Sequence, residues 1–199
     1  IYNRMVIGGR RYDIPAGAAP YAAALKGYFP KEAAAIDRYL GLVRSVSKAS
    51  AGYFAQKALP QSRAEDVYDR MCGDFHDYSD RLTIDVLSEL TADRELIAVI
   101  CANWGDYSLE PTRSSFAMHC MLAKHYLNGG HYPVGGGAAF ARSIVPIIES
   151  AGGVVLHSAE VAEIMVAQGR TTGVRLASGE EFACPLVISN AGVQNTFGR

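Results

Sequence analysis

The first part of the chain alternates between short β-prone runs and helical patterns. Two β-prone runs flank Gly8-Gly9, a two-residue turn signal that predicts a β-hairpin over Met5–Ile14. A short helix ending near Gly27 follows, and Pro30 opens a long helix that extends to about Lys57. The chain is therefore predicted to begin with a hairpin and two helices.

The long predicted helix presents an apolar face that is interrupted by two serines. Its positions follow the spacing of one buried helical face: Ile36, Leu40, Val43, Ser47, Ser50 and Phe54. Small hydroxyl side chains in the middle of this face allow close approach by another helix or by an elongated ligand. Plain helix packing is the favoured alternative of the two.

Two further helices are predicted near residues 82–90 and 92–103. Thr91 is the predicted N-cap of the second, and Asp93 and Glu95 complement the positive end of that helix. Another helix is predicted from Pro111 to Leu127. Because it is apolar on nearly all sides, we expect it to be buried or to line an apolar cavity.

The pattern changes at Asn128. Residues 128–137 contain five glycines and one proline, and a helix is predicted over 138–150 with a kink at Pro146. Four β-prone runs then follow, at 154–156, 161–167, 173–176 and 186–189. The predicted fold class is α+β, with a mainly helical portion at 1–127 and a loop–helix–β-meander portion at 128–199.

Composition excludes several classes of protein. The 199 residues are 49% hydrophobic and 20% charged, and the net charge of −1 provides no field that attracts nucleic acid. No apolar run reaches the roughly 18 residues of a membrane span. The cysteines are scattered, which indicates reduced, mostly buried thiols in a cytoplasmic protein: Cys72, Cys101, Cys120 and Cys184.

Motifs for hydrolytic, nucleotide and metal chemistry are missing from the sequence. GxSxG and the P-loop are absent, and His119 and His125 are not spaced to share a helical face, so no metal site is predicted. The glycine-rich segment 129–137 is the strongest local signal. It could bring backbone N–H groups close to a ligand or form a tight structural turn, and local chemistry leaves both alternatives open.

Several segments form one ordered pattern along nearly the whole chain. They are Tyr12–Gly17, Tyr28–Ile36, Trp104–Tyr107 with Pro111 and Ser115, Gly130–Gly136, Ala151–Gly153, Val161 and Ile164, Gly173-Val174, Gly179 and Val187–Gly192. This pattern resembles the flavoprotein family of phytoene desaturases, carotenoid isomerases and retinol saturases, within the amine-oxidase-like superfamily. No single segment is decisive, whereas their order and spacing together are specific.

The resemblance implies a part of an FAD-binding α/β flavoprotein. Residues 1–127 would belong to its substrate domain and residues 128–199 to its FAD-binding domain. The family's GxGxxG fingerprint and its second FAD-contacting segment are not in this sequence. We therefore expect a central fragment of a larger protein, which by itself binds FAD poorly and is inactive.

The resemblance also implies cofactor contacts at particular residues. Val161 matches a position whose backbone contacts the FAD adenine. Asn190-Ala191-Gly192 matches the return crossing toward the cofactor, where small residues allow close approach.

The resemblance also implies where the glycine-rich segment lies in the larger protein. Gly135 and Gly136 match a loop near the junction of the flavin and substrate domains. No general acid or base can be named from the sequence, and His131 and Tyr132 are the titratable groups to test as catalytic candidates.

The implied activity is FAD-dependent desaturation, saturation or isomerisation of carbon–carbon bonds in an apolar, carotenoid-like substrate. The helices at 31–57 and 114–127 are candidate walls for that substrate. The alternatives are an amine-oxidase-like flavoenzyme with a polar substrate, and a flavin-free module that binds an apolar ligand or a partner protein. We also expect the chain to form homodimers through exposed sheet edges. Peripheral membrane contact would suit an apolar substrate, although no amphipathic anchor marks it.

Overall fold

The computed structural model describes residues 1–58 and 65–198 and contains two compact units. The first unit spans Ile1–His131, and the second begins at Tyr132. The first is mainly helical, and the second holds a helix followed by a small antiparallel sheet. The predicted mixed α+β class is thereby confirmed, while the assignment of the two portions to a substrate domain and an FAD domain stays a prediction.

The first unit opens with the predicted hairpin. Strands β1 (Asn3–Ile7) and β2 (Arg10–Ile14) pair antiparallel. Gly8 and Gly9 join them with φ angles of 55° and 79°, a backbone region that favours glycine. Tyr12 and Ile14 point into the core and are fully buried.

The helices of the first unit follow the predicted order, with one addition. They are α1 (Ala18–Tyr28), a 3₁₀ turn (Pro30–Glu32), α2 (Ala33–Ala58), α3 (Glu65–Ser79), α4 (Thr83–Leu90), α5 (Arg94–Ile100), a 3₁₀ turn (Trp104–Tyr107) and α6 (Phe116–Tyr126). The α3 segment has few apolar positions and was not predicted as a helix. α5 is shorter than predicted, and α6 begins later than predicted, at Phe116.

The core of the first unit forms where α2 packs against α3 and α6. The Ser47 hydroxyl donates a hydrogen bond to the Cys120 carbonyl at 2.9 Å, so the small residues of α2 serve close helix packing. Phe54 was predicted to be buried, and this was wrong, because its side chain is 50% exposed. It lies near the end of α2 and contacts the rings of Tyr53 and Phe75 from the edge of the core.

The N-cap of α5 lies two residues beyond the predicted one. The Asp93 carboxylate accepts hydrogen bonds from the backbone N–H groups of Glu95 and Leu96, at 2.9 and 3.0 Å. Thr91 instead accepts from the Asp93 N–H and donates to Glu32. The prediction of Thr91 as the cap was therefore wrong, since its hydroxyl shapes the loop that leads to the capping residue.

The second unit contains fewer strands than predicted. Its elements are α7 (Ala138–Ser150), β3 (Val161–Ala167), β4 (Arg170–Leu176), β5 (Glu181–Ala183) and α8 (Val193–Phe197), and the sheet order is β3-β4-β5. Residues 154–156 and 186–189 were predicted as strands and are not, since neither run has a pairing partner among the described residues. Strand β5 was not predicted.

Much apolar surface of the second unit is uncovered. Leu176 is buried, whereas one face of α7 is exposed along its length: Phe140, Ile144, Ile147 and Ile148. The unpaired runs are exposed too, with Val154 at 76% and Ile188 at 92%. The sheet ends in two edge strands, β3 and β5.

The structure also gives the burial of the cysteines and bears on membrane spanning and metal binding. Cys72, Cys101 and Cys120 are buried and Cys184 is partly buried. Within residues 1–58 and 65–198, no helix has the length and apolar character needed to cross a bilayer. The same residues contain no group of three or more histidine, cysteine, aspartate or glutamate side chains that could hold a metal ion.

Candidate functional site

The glycine-rich segment forms a turn that leads into α7. Gly135 and Gly136 have φ angles of 87° and 79°, and the Gly136 N–H donates to the Pro133 carbonyl at 3.0 Å. The Arg142 guanidinium donates to the Gly135 carbonyl at 2.9 Å. A Cβ atom at Gly136 would meet no other atom, so its glycine is explained here by backbone conformation and not by packing.

The two weak catalytic candidates are solvent-exposed. His131 ends the first unit and Tyr132 begins the second, and the Tyr132 side chain is 80% exposed. Neither side chain has a hydrogen-bond partner among the residues that the structure describes. Nothing in this structure orients either group as an acid or base, and their catalytic role stays a prediction.

Three of the predicted cofactor-contacting residues come together in the second unit. Val161, Asn190 and Ala191 line one groove, and Asn190 and Gly192 line a neighbouring one. Val161 is 51% exposed at the start of β3. Gly135 and Gly136 line neither groove, so the structure does not bring the glycine-rich turn to these residues.

The Asn190–Gly192 segment is held by the short helix α8. The Asn195 side-chain amide donates to the Ala191 carbonyl at 2.9 Å. The Gly192 carbonyl accepts from the backbone N–H and the hydroxyl of Thr196, at 3.0 and 2.7 Å. These bonds fix the backbone of the segment while the Asn190 side chain remains exposed.

The two grooves of the second unit can be compared with the adenine and the pyrophosphate of FAD. β3 is an edge strand, so its outer peptide groups have no strand partner among the described residues and can hydrogen bond an adenine ring. No lysine or arginine lines either groove, and the chain lacks GxGxxG. The grooves thus supply no positive charge for a pyrophosphate, and contact of the β3 edge with the adenine end of FAD stays a prediction.

A second candidate site, missed by the sequence analysis, lies inside the first unit. It is a cavity of about 30 Å³ that no charged side chain lines. Five tyrosines contribute to its wall: Tyr2, Tyr21, Tyr39, Tyr107 and Tyr126. Helices α2 and α6, which cover the two segments predicted as apolar walls, both contribute lining residues.

A buried histidine connects two of these tyrosines. A hydrogen bond of 3.0 Å joins the Tyr39 hydroxyl to Nε2 of His119, and one of 3.3 Å joins the Tyr107 hydroxyl to Nδ1. His119 is 3% exposed and stacks on the Phe116 ring. The imidazole on α6 thus has one hydrogen-bond partner on α2 and another in the 3₁₀ turn Trp104–Tyr107.

Burial keeps this hydrogen-bonded group uncharged at neutral pH. It lowers the pKa of His119 to about 4, because the protonated ring would lose its hydration. Burial likewise raises the pKa of Tyr107 to about 12 and that of Tyr39 well above its usual value. The site can therefore exchange hydrogen bonds with a neutral molecule and offers no charge to an ionic one.

The sequence contained a signal for this site that a search for metal ligands overlooks. His119 lies in a helix that is apolar on most sides, and a buried imidazole requires hydrogen-bond partners. Tyr39 lies 80 residues away on the buried face of another helix. Spacing along the chain cannot show that the two meet.

Comparison with known proteins gives three informative relatives, while no family model matches the chain. The chain is 36% identical over 200 residues to all-trans-retinol 13,14-reductase of Homo sapiens, covering 96% of this chain and 32% of that protein. It is 43% identical over 86 residues to a neurosporene-forming phytoene desaturase of Cereibacter sphaeroides, covering 43% of this chain and 16% of that protein. It is 35% identical over 79 residues to chloroplastic prolycopene isomerase 2 of an Oncidium hybrid cultivar, covering 40% of this chain and 14% of that protein. The chain thus spans about a third of the length of the human reductase.

Proposed function

The chain is homologous to a section of the FAD-dependent retinol and carotenoid family within the amine-oxidase-like flavoproteins, and on that premise we propose that it is part of an oxidoreductase acting on carbon–carbon bonds of an unsaturated isoprenoid substrate. The observation that carries this proposal is the match to a retinol reductase over 96% of the chain. Desaturation, saturation and isomerisation all belong to the proposed reaction class. By itself the section is proposed to be inactive.

The second unit is proposed to hold the adenine end of FAD. Val161 offers backbone groups at the edge of β3, Asn190 and Ala191 line the same groove, and Gly192 lines the neighbouring one. When bound, FAD supplies a hydride acceptor or donor for a carbon–carbon bond. The pyrophosphate contacts are proposed to come from residues beyond this sequence.

The first unit is proposed to face the substrate. The lining of its cavity is mostly aromatic and aliphatic, includes the neutral polar side chains of Asn103 and His119 and has no charged side chain, which supports an apolar substrate over the polar one of an amine-oxidase-like enzyme. A cytoplasmic location with peripheral membrane contact is part of the same proposal. The flavin-free binding module remains the competing function, and it predicts a protein without flavin.

The visible absorption spectrum of the protein that contains this section tests the proposal first. A band of oxidised flavin that stays with the protein through gel filtration is the expected result. A colourless protein that also fails to take up added FAD would instead favour the flavin-free module.

Substitution of the glycine-rich turn tests the proposed cofactor contact at Gly136. In the protein that contains this section, we expect Gly136→Leu to reduce flavin retention about tenfold, which corresponds to about 1.4 kcal/mol, because a side chain would stand where backbone is proposed to approach the cofactor. Gly169→Leu is the matched control, since Gly169 also has a positive φ angle, 73°, and open space at its Cβ position. Equal flavin content and kinetics in the two variants would make the Gly135-Gly136 segment a structural turn only.

A further inference from the structure

The hydrogen-bond chain Tyr39–His119–Tyr107 leaves one hydrogen without a place in it. A neutral imidazole carries one N–H and one bare nitrogen, and the two tyrosines carry one O–H each. Two hydrogen bonds use two of these three hydrogens. With Nδ1 of His119 protonated the remaining hydrogen is on Tyr107, whose hydroxyl also hydrogen bonds the Ser114 side chain, and with Nε2 protonated it is on Tyr39.

That further acceptor can lie in the cavity. Tyr39, Tyr107 and His119 all line it, and with Nε2 protonated the spare hydrogen lies on Tyr39, which has no second hydrogen-bond partner among the described residues. A volume of about 30 Å³ has room for one or two water molecules, or for a terminal hydroxyl or carbonyl group with its carbon. The cavity is too small for a whole isoprenoid chain, so most of such a chain would have to lie outside it.

The opening of the cavity to solvent is inferred to lie beside Trp104, the only tryptophan of the chain. Trp104 lines the cavity and is 43% exposed, so its indole lies between the interior and solvent. Tyr2 and Tyr126, stacked with ring centroids 6.0 Å apart, also line the cavity and are partly exposed. An apolar chain leaving the cavity would have aromatic surface to lie against.

From these observations we infer that the cavity of the first unit is a subsite for the uncharged oxygen-bearing end of an apolar ligand, which receives a hydrogen bond from the Tyr39–His119–Tyr107 chain. The isoprenoid nature of the apolar part rests on the proposed function. The selection of a neutral end group rests on the cavity itself, because no arginine or lysine lines it to balance a carboxylate. An alcohol or an aldehyde fits this subsite, and a carboxylate does not.

Fluorescence of Trp104 in the full 199-residue chain, titrated with geranylgeraniol and with geranylgeranoic acid, tests the subsite. The expected result is a saturable blue shift with the alcohol and at least about tenfold weaker binding of the acid, since an unpaired carboxylate would be desolvated. The same shift with both ligands at equal concentrations would overturn the selection by charge. No saturable shift with either ligand would show a cavity that holds water only.

Tyr39→Phe and Tyr107→Phe test the hydrogen-bond chain, because each keeps the ring and removes one hydroxyl. We expect each to weaken binding of the alcohol about fivefold, as for one lost hydrogen bond. Tyr53→Phe is the matched control: Tyr53 is a partly buried tyrosine on the same helix as Tyr39, and it does not line the cavity. Thermal unfolding of each variant reports whether the fold is retained, and unchanged affinity in both folded variants would overturn the inference.

This experiment separates the subsite from the proposed function. The titration uses no flavin: if the protein that contains this section fails to bind FAD while the 199-residue chain still distinguishes alcohol from acid, the oxidoreductase is contradicted and the subsite is supported. A flavin-binding protein whose cavity variants bind the alcohol as well as the unsubstituted chain would do the reverse.

Discussion

His119 shows how burial and hydrogen bonding act on a single residue. Its ring is enclosed by α2, α6 and the 3₁₀ turn that holds Tyr107, and both nitrogens have tyrosine partners. The other histidines of the chain are exposed: His76, His125, His131 and His157. His119 is therefore the histidine at which burial penalises a protonated imidazole.

This difference predicts a loss of stability in mild acid. The unfolded chain binds a proton at His119 near pH 6.5, whereas the folded chain binds it only near pH 4. Between these values the unfolded state holds more protons, so the free energy of unfolding falls as the pH falls, by about 3 kcal/mol for this residue. Urea unfolding at several pH values measures this dependence.

The matched variants for this measurement lie on the same helix. His119→Gln should flatten the pH dependence between pH 6.5 and 4, because glutamine does not titrate. His125→Gln removes an exposed histidine and should leave the dependence intact. Parallel curves for the unsubstituted chain and His119→Gln would show that burial of this imidazole does not control the acid response.

At the scale of elements, stability depends on how the ends and faces of each helix are satisfied. α5 is only seven residues long, and its first N–H groups are capped by the Asp93 carboxylate. α4 begins after Leu82 with no side-chain cap, although Asp85 lies in its first turn. The two neighbouring short helices thus differ in how their N-termini are stabilised.

Removal of the α5 cap should cost stability. We expect Asp93→Ala to lower the free energy of unfolding by about 1 kcal/mol, since two backbone N–H groups lose their acceptor. Asp93→Asn, which keeps an oxygen acceptor, should retain most of it. The control is Asp85→Ala, which removes a first-turn carboxylate without a cap bond and should cost only a few tenths of a kcal/mol. Equal losses at Asp93 and Asp85 would assign the effect to charge alone.

The elements predictable from sequence are those whose signal is local. Gly8-Gly9 specifies a turn by its backbone conformation, and the apolar spacing of α2 specifies a helix. The end of a helix depends on which of two nearby polar residues caps it, and Thr91 and Asp93 could not be distinguished by residue type. The β-prone run 186–189 has strand composition, but a strand also needs a partner, which composition does not reveal.

At the scale of the whole molecule, the two units differ in how they bury apolar side chains. The first has a continuous core assembled from its hairpin and helices. The second leaves the apolar face of α7 and two β-prone runs exposed. An exposed edge strand beside apolar surface favours association between chains.

Homodimerisation through a sheet edge is the resulting prediction for the 199-residue chain. We expect sedimentation velocity to show a dimer or larger species whose proportion rises with concentration. Val166→Lys places a charge on edge strand β3, where Val166 is 62% exposed, and should weaken association about tenfold. Val134→Lys adds the same charge at a 99% exposed loop position and serves as the control. A monomer at all concentrations would contradict the prediction.

One candidate site was predictable from the sequence and the other was not, because the first follows from a pattern along the chain and the second from tertiary contacts. Val161 and Asn190-Ala191 were proposed from an ordered family pattern, and the structure places them beside one groove. Their contact with a cofactor stays a prediction. The Tyr39–His119–Tyr107 chain was not predicted, because it arises from side chains that only tertiary packing brings together.

The hairpin at the start of the first unit affects the order in which that unit can assemble. Its strands are joined by two residues, so pairing closes a very short loop, and hairpins of this kind form within microseconds. A slip of one residue would turn Tyr12 and Ile14 from the core to solvent, and the glycine turn opposes such a slip. The register can thus be set by local contacts, and we expect the hairpin to pair early in the folding of the first unit.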